Sequence, residues 1–535
     1  MLHESLLLIL FLLFLVFVLA MLGQKLKISY PILLVVGGLL ISLIPGIPYI
    51  SLSPDIVFLV FLPPLLYEAA WYTSWNDFWK SKRPILLLAF GLVFFTSVII
   101  AYLSSSVIPG FTMALGFLLG GIISPPDAVA ATSVLKGIKL PKRIVTILEG
   151  ESLINDASSL IVFRFALAAI MTGQFTFNSA VGDFLLVTLM GVIIGIAIAF
   201  ILYLIHRFMP TTPDIDTALS IMAPYIMYLA AEHFHFSGVM AVVTGGLSLS
   251  YRSHEIFNHQ SRLQTTSVWS TIVFILNGLV FILIGLQLPV IIAGLNGYSL
   301  VEAILYGLMI SVAAIIIRIL WVFPAAFVPR YLFKSIREAE PNPGFAGPFV
   351  IGWAGMRGVV SLAAALNIPL LLNDGTPFPH RNLILFITFI VILVTLVLQG
   401  LTLPSIIKRM KLQSPKEDIP DEEQDSAIRI RLINAALIVL NENYRKEADE
   451  NRLVGNLRTV METNIIHIIE RLNSLEYEET DKAERAVYKR VYTHVLEAQR
   501  RELVVLRREK IYHDEEIRKH QSQLDIEEIR LKRFT

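Results

Sequence analysis

The 535-residue sequence contains no cysteine. That excludes disulfides, thiol nucleophiles and cysteine-ligated metals. It has no charge excess either: 44 Lys and Arg stand against 43 Asp and Glu, a formal net charge of +1. Nothing in that balance points to nucleic acid as a partner. No glycine-rich phosphate loop ending in Gly-Lys-Ser or Gly-Lys-Thr occurs, which argues against ATP-driven work. Charge is scarce overall, at 16% of residues against 55% hydrophobic, and mean hydropathy is +0.67. Those are the proportions of a polytopic membrane protein, not of a soluble globule. Met1-Leu2-His3-Glu4 lacks the basic segment of a signal peptide. The apolar run after it is therefore expected to stay as a first membrane helix.

Apolar segments fall at roughly 4–23, 28–46, 55–72, 85–106, 110–134, 144–171, 178–205, 216–232, 236–250, 270–293, 299–327, 345–371 and 382–407. These thirteen runs predict an all-α polytopic fold. Loop charge sets the orientation. With the N-terminus outside, the inner loops carry fifteen Lys and Arg, among them Lys80, Lys82, Arg83, Lys136, Lys139, Lys142 and Arg143. The outer loops carry only Arg381. Residues 412–535 hold 48 of the 87 charged side chains. This gives a membrane domain over 1–411, a polar linker over 412–425 and a soluble helical domain over 426–535, expected on the cytoplasmic side.

Three spans carry groups that are costly in hydrocarbon. The sixth contains Gly150-Glu151-Ser152-Leu153-Ile154-Asn155-Asp156. Ser152 and Asp156 are four apart and share a helix face; Glu151 and Asn155 share the adjacent one. The fifth contains Ser124-Pro125-Pro126-Asp127, whose prolines remove two backbone donors at depth. The twelfth contains Gly352-Trp353-Ala354-Gly355-Met356-Arg357-Gly358, where glycines weaken the helix around a cation. Broken helices seven spans apart run antiparallel, as two inverted repeats of helices 1–6 and 8–13 would place them, and such pairs mark a transporter's binding site. Counted from the inner ends, Asp156 and Arg357 lie about 12 residues deep and Asp127 about 8, within about 6 Å of one level at ~1.5 Å per residue. Glu151 and Arg318 lie at neighbouring depths and form the expected buried ion pair, since either alone would be costly.

The Gly150–Asp156 stretch resembles the signature of the monovalent cation/proton antiporters, in the sodium/proton exchanger branch and of bacterial type. Ser124-Pro125-Pro126-Asp127-Ala128-Val129 and Gly355-Met356-Arg357-Gly358 resemble that family's crossing broken helices. Phe61-Leu62-Pro63-Pro64-Leu65-Leu66-Tyr67-Glu68 and Phe236-Ser237-Gly238-Val239-Met240-Ala241 also fit, so the resemblance covers about residues 1–410. It implies a homodimer in the cell membrane, with a dimerisation domain and a core domain that carries the ion in an elevator-like step. It implies a role in pH and sodium homeostasis. Asp156 would be the main cation and proton carboxylate, Asp127 the contribution of the broken helix, and Ser152 a side-chain oxygen. Asn155 stands where the electrogenic branch has a second Asp, which implies electroneutral exchange. Glu151 and Arg318 would be the family's structural pair. One departure is Pro126, where the family often has a Thr that ligates the ion; Ser124 or a backbone carbonyl is left to compensate.

The chemistry fits the residues without the family. Na⁺ and Li⁺ are hard cations that prefer oxygen, and Asp156, Ser152 and carbonyls freed near Asp127 supply it. One carboxylate that binds either a cation or a proton, exposed alternately to two sides, performs exchange. No enzyme chemistry and no cofactor are required beyond the transported Na⁺ (or Li⁺ or K⁺) and H⁺. Arg357 suits two roles equally: holding the crossing helix ends, or tuning Asp127 and Asp156. Arg164, towards the outer end of the sixth span, is expected to snorkel or to cap a carbonyl. The other functional class is a cation channel or membrane sensor with the tail as output, which would need an open polar path.

Overall fold

The computed structural model describes residues 2–44, 57–135, 138, 140–173, 177–295, 297–340, 342–410, 421–473, 490–503, 505, 520 and 524–528. Lys136, Lys139 and most of the expected linker lie outside those residues. The chain divides into two compact units, Met1–Pro415 and Lys416–Thr535. Among the described residues there is no β-strand, only an isolated bridge between Leu371 and Pro377.

Helices occupy the apolar runs of the membrane unit. We label them α1 (Leu2–Leu26), α2 (Tyr30–Ser42), α3 (Val57–Tyr72), α4 (Lys82–Val107), α5 (Met113–Leu135), α6 (Lys142–Thr172), α7 (Phe177–Phe208), α8 (Pro213–His233), α9 (Gly238–Tyr251), α10 (His259–Leu286), α11 (Leu300–Leu332), α12 (Ala346–Trp353 with Val359–Leu366) and α13 (Arg381–Met410). Eight of the described helices are long and apolar enough to cross a bilayer; α2, α3 and α9 are shorter and equally apolar. In the second unit, Asp421–Asn443, Arg445–Glu450 and Arg452–Asn473 are helical.

Two spans are interrupted where the sequence removes backbone donors or side chains. Helix α5 runs as Met113–Ile123, breaks over Ser124–Asp127, and resumes as Ala128–Leu135. Helix α12 runs as Ala346–Trp353, breaks over Ala354–Gly358, and resumes as Val359–Leu366. The breaks meet: the Asp127 amide donates to the Met356 carbonyl at 2.7 Å.

The helices pack as two groups. In one, α4 lies on α5, α5 on α6, and α11 on both α13 and α12. In the other, α2 packs on α10 and α1 on both, while α9 packs on α3, α7 and α8. Small residues set the close approaches, as expected where lipid supplies no hydrophobic drive between helices. A Cβ on Gly120 would come within 2.6 Å of the Ser97 Cα on α4. A Cβ on Gly285 would collide with the backbone of α2.

Buried charges hold the first group together. Arg318 on α11 meets Glu151 on α6 through two bonds, Nη1 to Oε1 at 2.5 Å and Nη2 to Oε2 at 2.7 Å. The two side chains are 0% and 1% exposed. Arg318 Nε also donates to the Ile351 carbonyl at 3.2 Å, which ties in α12. Only a glycine at 355 leaves room, because a Cβ there would overlap Arg318. Arg164 is about half exposed, and its guanidinium caps no carbonyl among the described residues. It pairs with Glu232 at 2.9 Å, joining α6 to the end of α8; a carboxylate that the chain itself supplies takes the place of the carbonyl.

At the end of the bundle bearing the basic loops, Glu340 accepts from Arg83 at 2.7 and 2.8 Å and from Arg143 at 2.7 Å. Arg330 donates to its backbone carbonyl. Partial burial would raise the Glu340 carboxyl, but the Arg83 hydrogen bond and the charges of Arg83 and Arg143 hold it below the ordinary range. One carboxylate thus staples the ends of α4 and α6 to the loop before α12.

Two outcomes follow for stability. Glu151→Ala and Arg318→Ala each destabilise by about 3–5 kcal/mol, because each leaves an unpaired buried charge, and the double mutant recovers part of the loss. Additive losses in thermal unfolding would contradict the pairing. For Glu340 the folded value lies below the unfolded one. Its contribution is therefore present above the ordinary glutamate value of about 4.3 and is lost as pH falls through the folded value. Glu340→Gln lowers the unfolding midpoint at neutral pH and has no effect once acid has protonated the native carboxyl. An equal penalty at both ends of the titration would contradict the charge-based account.

Candidate functional site

A cavity of about 280 Å³ opens between the two helix groups. One wall is the α6 face bearing Glu149, Ser152, Leu153 and Asp156, at the spacing of successive helical turns. The broken helices supply Pro126, Asp127, Gly358 and Ser361; α3 supplies Glu68 and Tyr72; α10 supplies Asn277. Tyr72 and Glu149 are exposed, whereas Asp156 is 6% exposed. The cavity therefore opens towards the basic loops and ends at Asp156. Beyond that floor Ser158, Ser159, Ile161, Val162 and Phe163 are all buried.

Asp127 and Asp156 sit in different electrostatic settings. Asp127 caps the second half of α5: its Oδ1 accepts from the Val129 amide at 2.8 Å and the Ala130 amide at 3.4 Å. It also faces the start of the second half of α12, where a Cβ on Gly358 would overlap Asp127 Oδ2. Its charge thus meets two amides and the positive ends of two half-helices. No hydrogen bond or ion pair engages the Asp156 carboxylate among the described residues. A charge in that position has only what enters the cavity to balance it.

The other candidate residues brace this arrangement. Ser152 Oγ accepts from the Ala128 amide at 3.1 Å, and the residue lines the cavity. Asn155 Nδ2 donates to the Pro126 carbonyl at 3.1 Å, while its Oδ1 is buried with no hydrogen-bond partner. Arg357 is 1% exposed. Its Nε donates to the Ile123 carbonyl at 2.9 Å, Nη1 donates to Gly355, and its amide donates to Thr395 Oγ1 at 3.1 Å. It fills the carbonyls that the breaks set free, so of its two expected roles the contacts show helix-end holding. Ser124 is fully buried, outside the cavity lining, and donates back to Gly121 at 3.2 Å. A hydroxyl next to a free carbonyl one turn back satisfies itself locally, so Ser124 brings no oxygen to the cavity. The Pro126 carbonyl is already engaged by Asn155.

Glu149 and Asn277, like Tyr72, Thr132 and Ser361, line the cavity but escaped the sequence reading. Glu149 lies three before Ser152 and seven before Asp156, a spacing that places it on the same face. Asn277 is the lone strongly polar side chain in the run from Ile272 to Leu286. Both signals were visible, yet neither is part of a recognisable motif.

The profile of the family described as "Sodium/hydrogen exchanger, transmembrane" matches residues 10–409. A "Sodium, potassium, lithium and rubidium/H(+) antiporter" of Bacillus pumilus is 34% identical, over 79% of this chain and 64% of its own length. The protein of the same name in Bacillus subtilis is 33% identical, over 86% of this chain and 67% of its own. The chain thus spans about two thirds of those Bacillus relatives. The low-affinity Na(+)/H(+) antiporter NhaS1 of Synechocystis is 32% identical over 72% of this chain and 70% of its own. In fold, the sodium proton antiporter MjNhaP1 of Methanocaldococcus jannaschii superposes with a TM-score of 0.61, covering 76% of this chain and 99% of that one at 19% identity. An unpartnered carboxylate below two crossing helix breaks, in a multi-pass chain matched along residues 10–409, places this protein in the sodium/hydrogen exchanger family.

Proposed function

We propose that the protein is a secondary antiporter that exchanges Na⁺, Li⁺ or K⁺ for H⁺, with Asp156 holding either the cation or the proton. The observation that carries this reading is the Asp156 carboxylate itself: at the floor of a cavity, beside Ser152, with no partner from the protein. The cation names borne by the Bacillus relatives support a monovalent substrate. Bound cation would take oxygens from Asp156, Ser152 Oγ and Asp127, whose remaining oxygen faces the break. Asn155 is neutral and donates to Pro126, so with Asp156 as the group that exchanges its load, one cation moves for one proton. That makes the cycle electroneutral. Glu151, Arg318 and Arg357 hold the frame and take no part in the exchange.

Alternating access follows from the two helix groups. The group α4–α6 with α11–α13 carries Asp127, Ser152 and Asp156; α1–α3 with α7–α10 forms the wall against which it slides. We read the spans as thirteen in two inverted repeats, the N-terminus as outside, and the second unit as cytoplasmic. The functional unit is a homodimer in the cell membrane, acting in pH and sodium homeostasis. A channel would need a polar path past Asp156; the burial of Ser158, Ser159, Ile161, Val162 and Phe163 beyond it supports the carrier reading.

In proteoliposomes, cation addition should drive proton flux that persists when a permeant ion clamps the voltage. Asp156→Asn should abolish it while leaving the thermal unfolding profile intact. Normal cation-dependent flux in that variant would defeat the mechanism. The tail is expected to tune and not to transport, because every residue assigned to the site precedes residue 372 and the first compact unit ends at Pro415. A protein ending at Lys411 should still insert and exchange cations, with a shifted pH profile. A well-folded truncation that is inactive at every pH would make the tail part of the transport machinery.

A further inference from the structure

Helix α10 belongs to the α1–α3 and α7–α10 group, packed on α1, α2 and α8. From Ile272 to Leu286 it is apolar except at Asn277. An amide in that setting costs free energy unless something satisfies it. Asn277 is 4% exposed, and no hydrogen bond engages its side chain among the described residues. Helix packing does not call for the amide. The adjacent Gly278 takes up the contact with Val16 of α1, and Val280, Phe281 and Ile282 fill the core beyond. The Asn277 side chain lines the same cavity as Asp127, Ser152 and Asp156. It is a buried, unpartnered polar group aimed at the cation site from the opposite helix group.

We propose that Asn277 is a sided cation ligand. Its Oδ1 completes the oxygen shell of the ion at Asp156 only while the cavity faces the basic loops, and it is left behind when the α4–α6 and α11–α13 group moves. This rests on the antiport reading above. The chemistry suits a hard monovalent cation, which takes neutral carbonyl oxygens alongside carboxylates. A proton on Asp156 needs no further oxygen ligands, so the amide favours the cation over the proton on that side. Linkage sets a further consequence. If Asn277 strengthens binding in one orientation only, the loaded carrier's preference for that orientation carries the same factor.

The test uses the full chain in uniformly oriented proteoliposomes, with NaCl, LiCl and KCl added separately to either side. Asn277→Ala should raise the apparent KM from the basic-loop side about tenfold, the scale of one lost polar contact. KM from the other side should stay within about twofold, and the maximal rate for cation entering from the basic-loop side should not fall, because a contact given up before the transition state holds the loaded carrier back. Asn277→Ser retains an oxygen and should fall between the two. Equal KM changes on both sides, or no change in a folded variant, would overturn the proposal. Loss of folding in both variants would assign Asn277 to packing and overturn it equally. Absence of cation-driven proton flux in the unaltered protein is a different result: it would defeat the antiport reading itself.

Discussion

A charge in the hydrocarbon region costs several kcal/mol unless another charge or a set of dipoles meets it, and the membrane unit is arranged around that cost. Arg318 and Glu151 satisfy each other through a two-pronged contact. Arg357 is spread over the carbonyls of Ile123 and Gly355. Asp127 lies between two helix starts and accepts two amides. His206 and Asp216, buried where α7 meets α8, bond to each other at 2.8 Å. After these pairings Asp156 is the buried carboxylate at the cavity floor that the chain leaves open to solutes. A cation or a proton completes the set.

The helix breaks make this arrangement possible. Pro125 and Pro126 cannot donate, and Gly355 and Gly358 admit neighbours that any Cβ would exclude. Backbone carbonyls come free at mid-depth, and Arg357, Asn155, Ser124 and the Asp127 amide take up those of Ile123, Gly355, Pro126, Gly121 and Met356. The frame around the site is thereby closed internally, and little of it depends on the ion. Such a site can empty and refill without unfolding, which a carrier must do in every cycle. The same frame sits wholly on one helix group, so it can move as a body against the other.

Much of this was legible in the sequence because membrane depth is a one-dimensional coordinate. Helical rise turns residue counts into depth, and that alone set Glu151 beside Arg318 and Asp127 near Asp156. The apolar runs marked the helices because lipid demands apolar side chains along a span, even where its backbone is broken. Side-chain direction was harder to read. Whether Arg357 holds helix ends or tunes carboxylates depends on which carbonyls the breaks expose. Ser124 was a candidate oxygen by position, yet its hydroxyl turns back to Gly121. Arg164 found Glu232 across 68 positions of sequence, a pairing that no local pattern announces. Asn277 reaches the site from a helix without a motif, so only the packing of α10 against the rest reveals it.

The central claim is that one carboxylate binds the cation and the proton in competition. Calorimetric titration of the purified protein with NaCl or LiCl, in buffers of different ionisation enthalpy, counts the protons released per cation bound. The account predicts release approaching one proton per cation at pH values where Asp156 is protonated before the cation arrives, with apparent affinity falling as pH is lowered. Cation binding without proton release at every pH would contradict it.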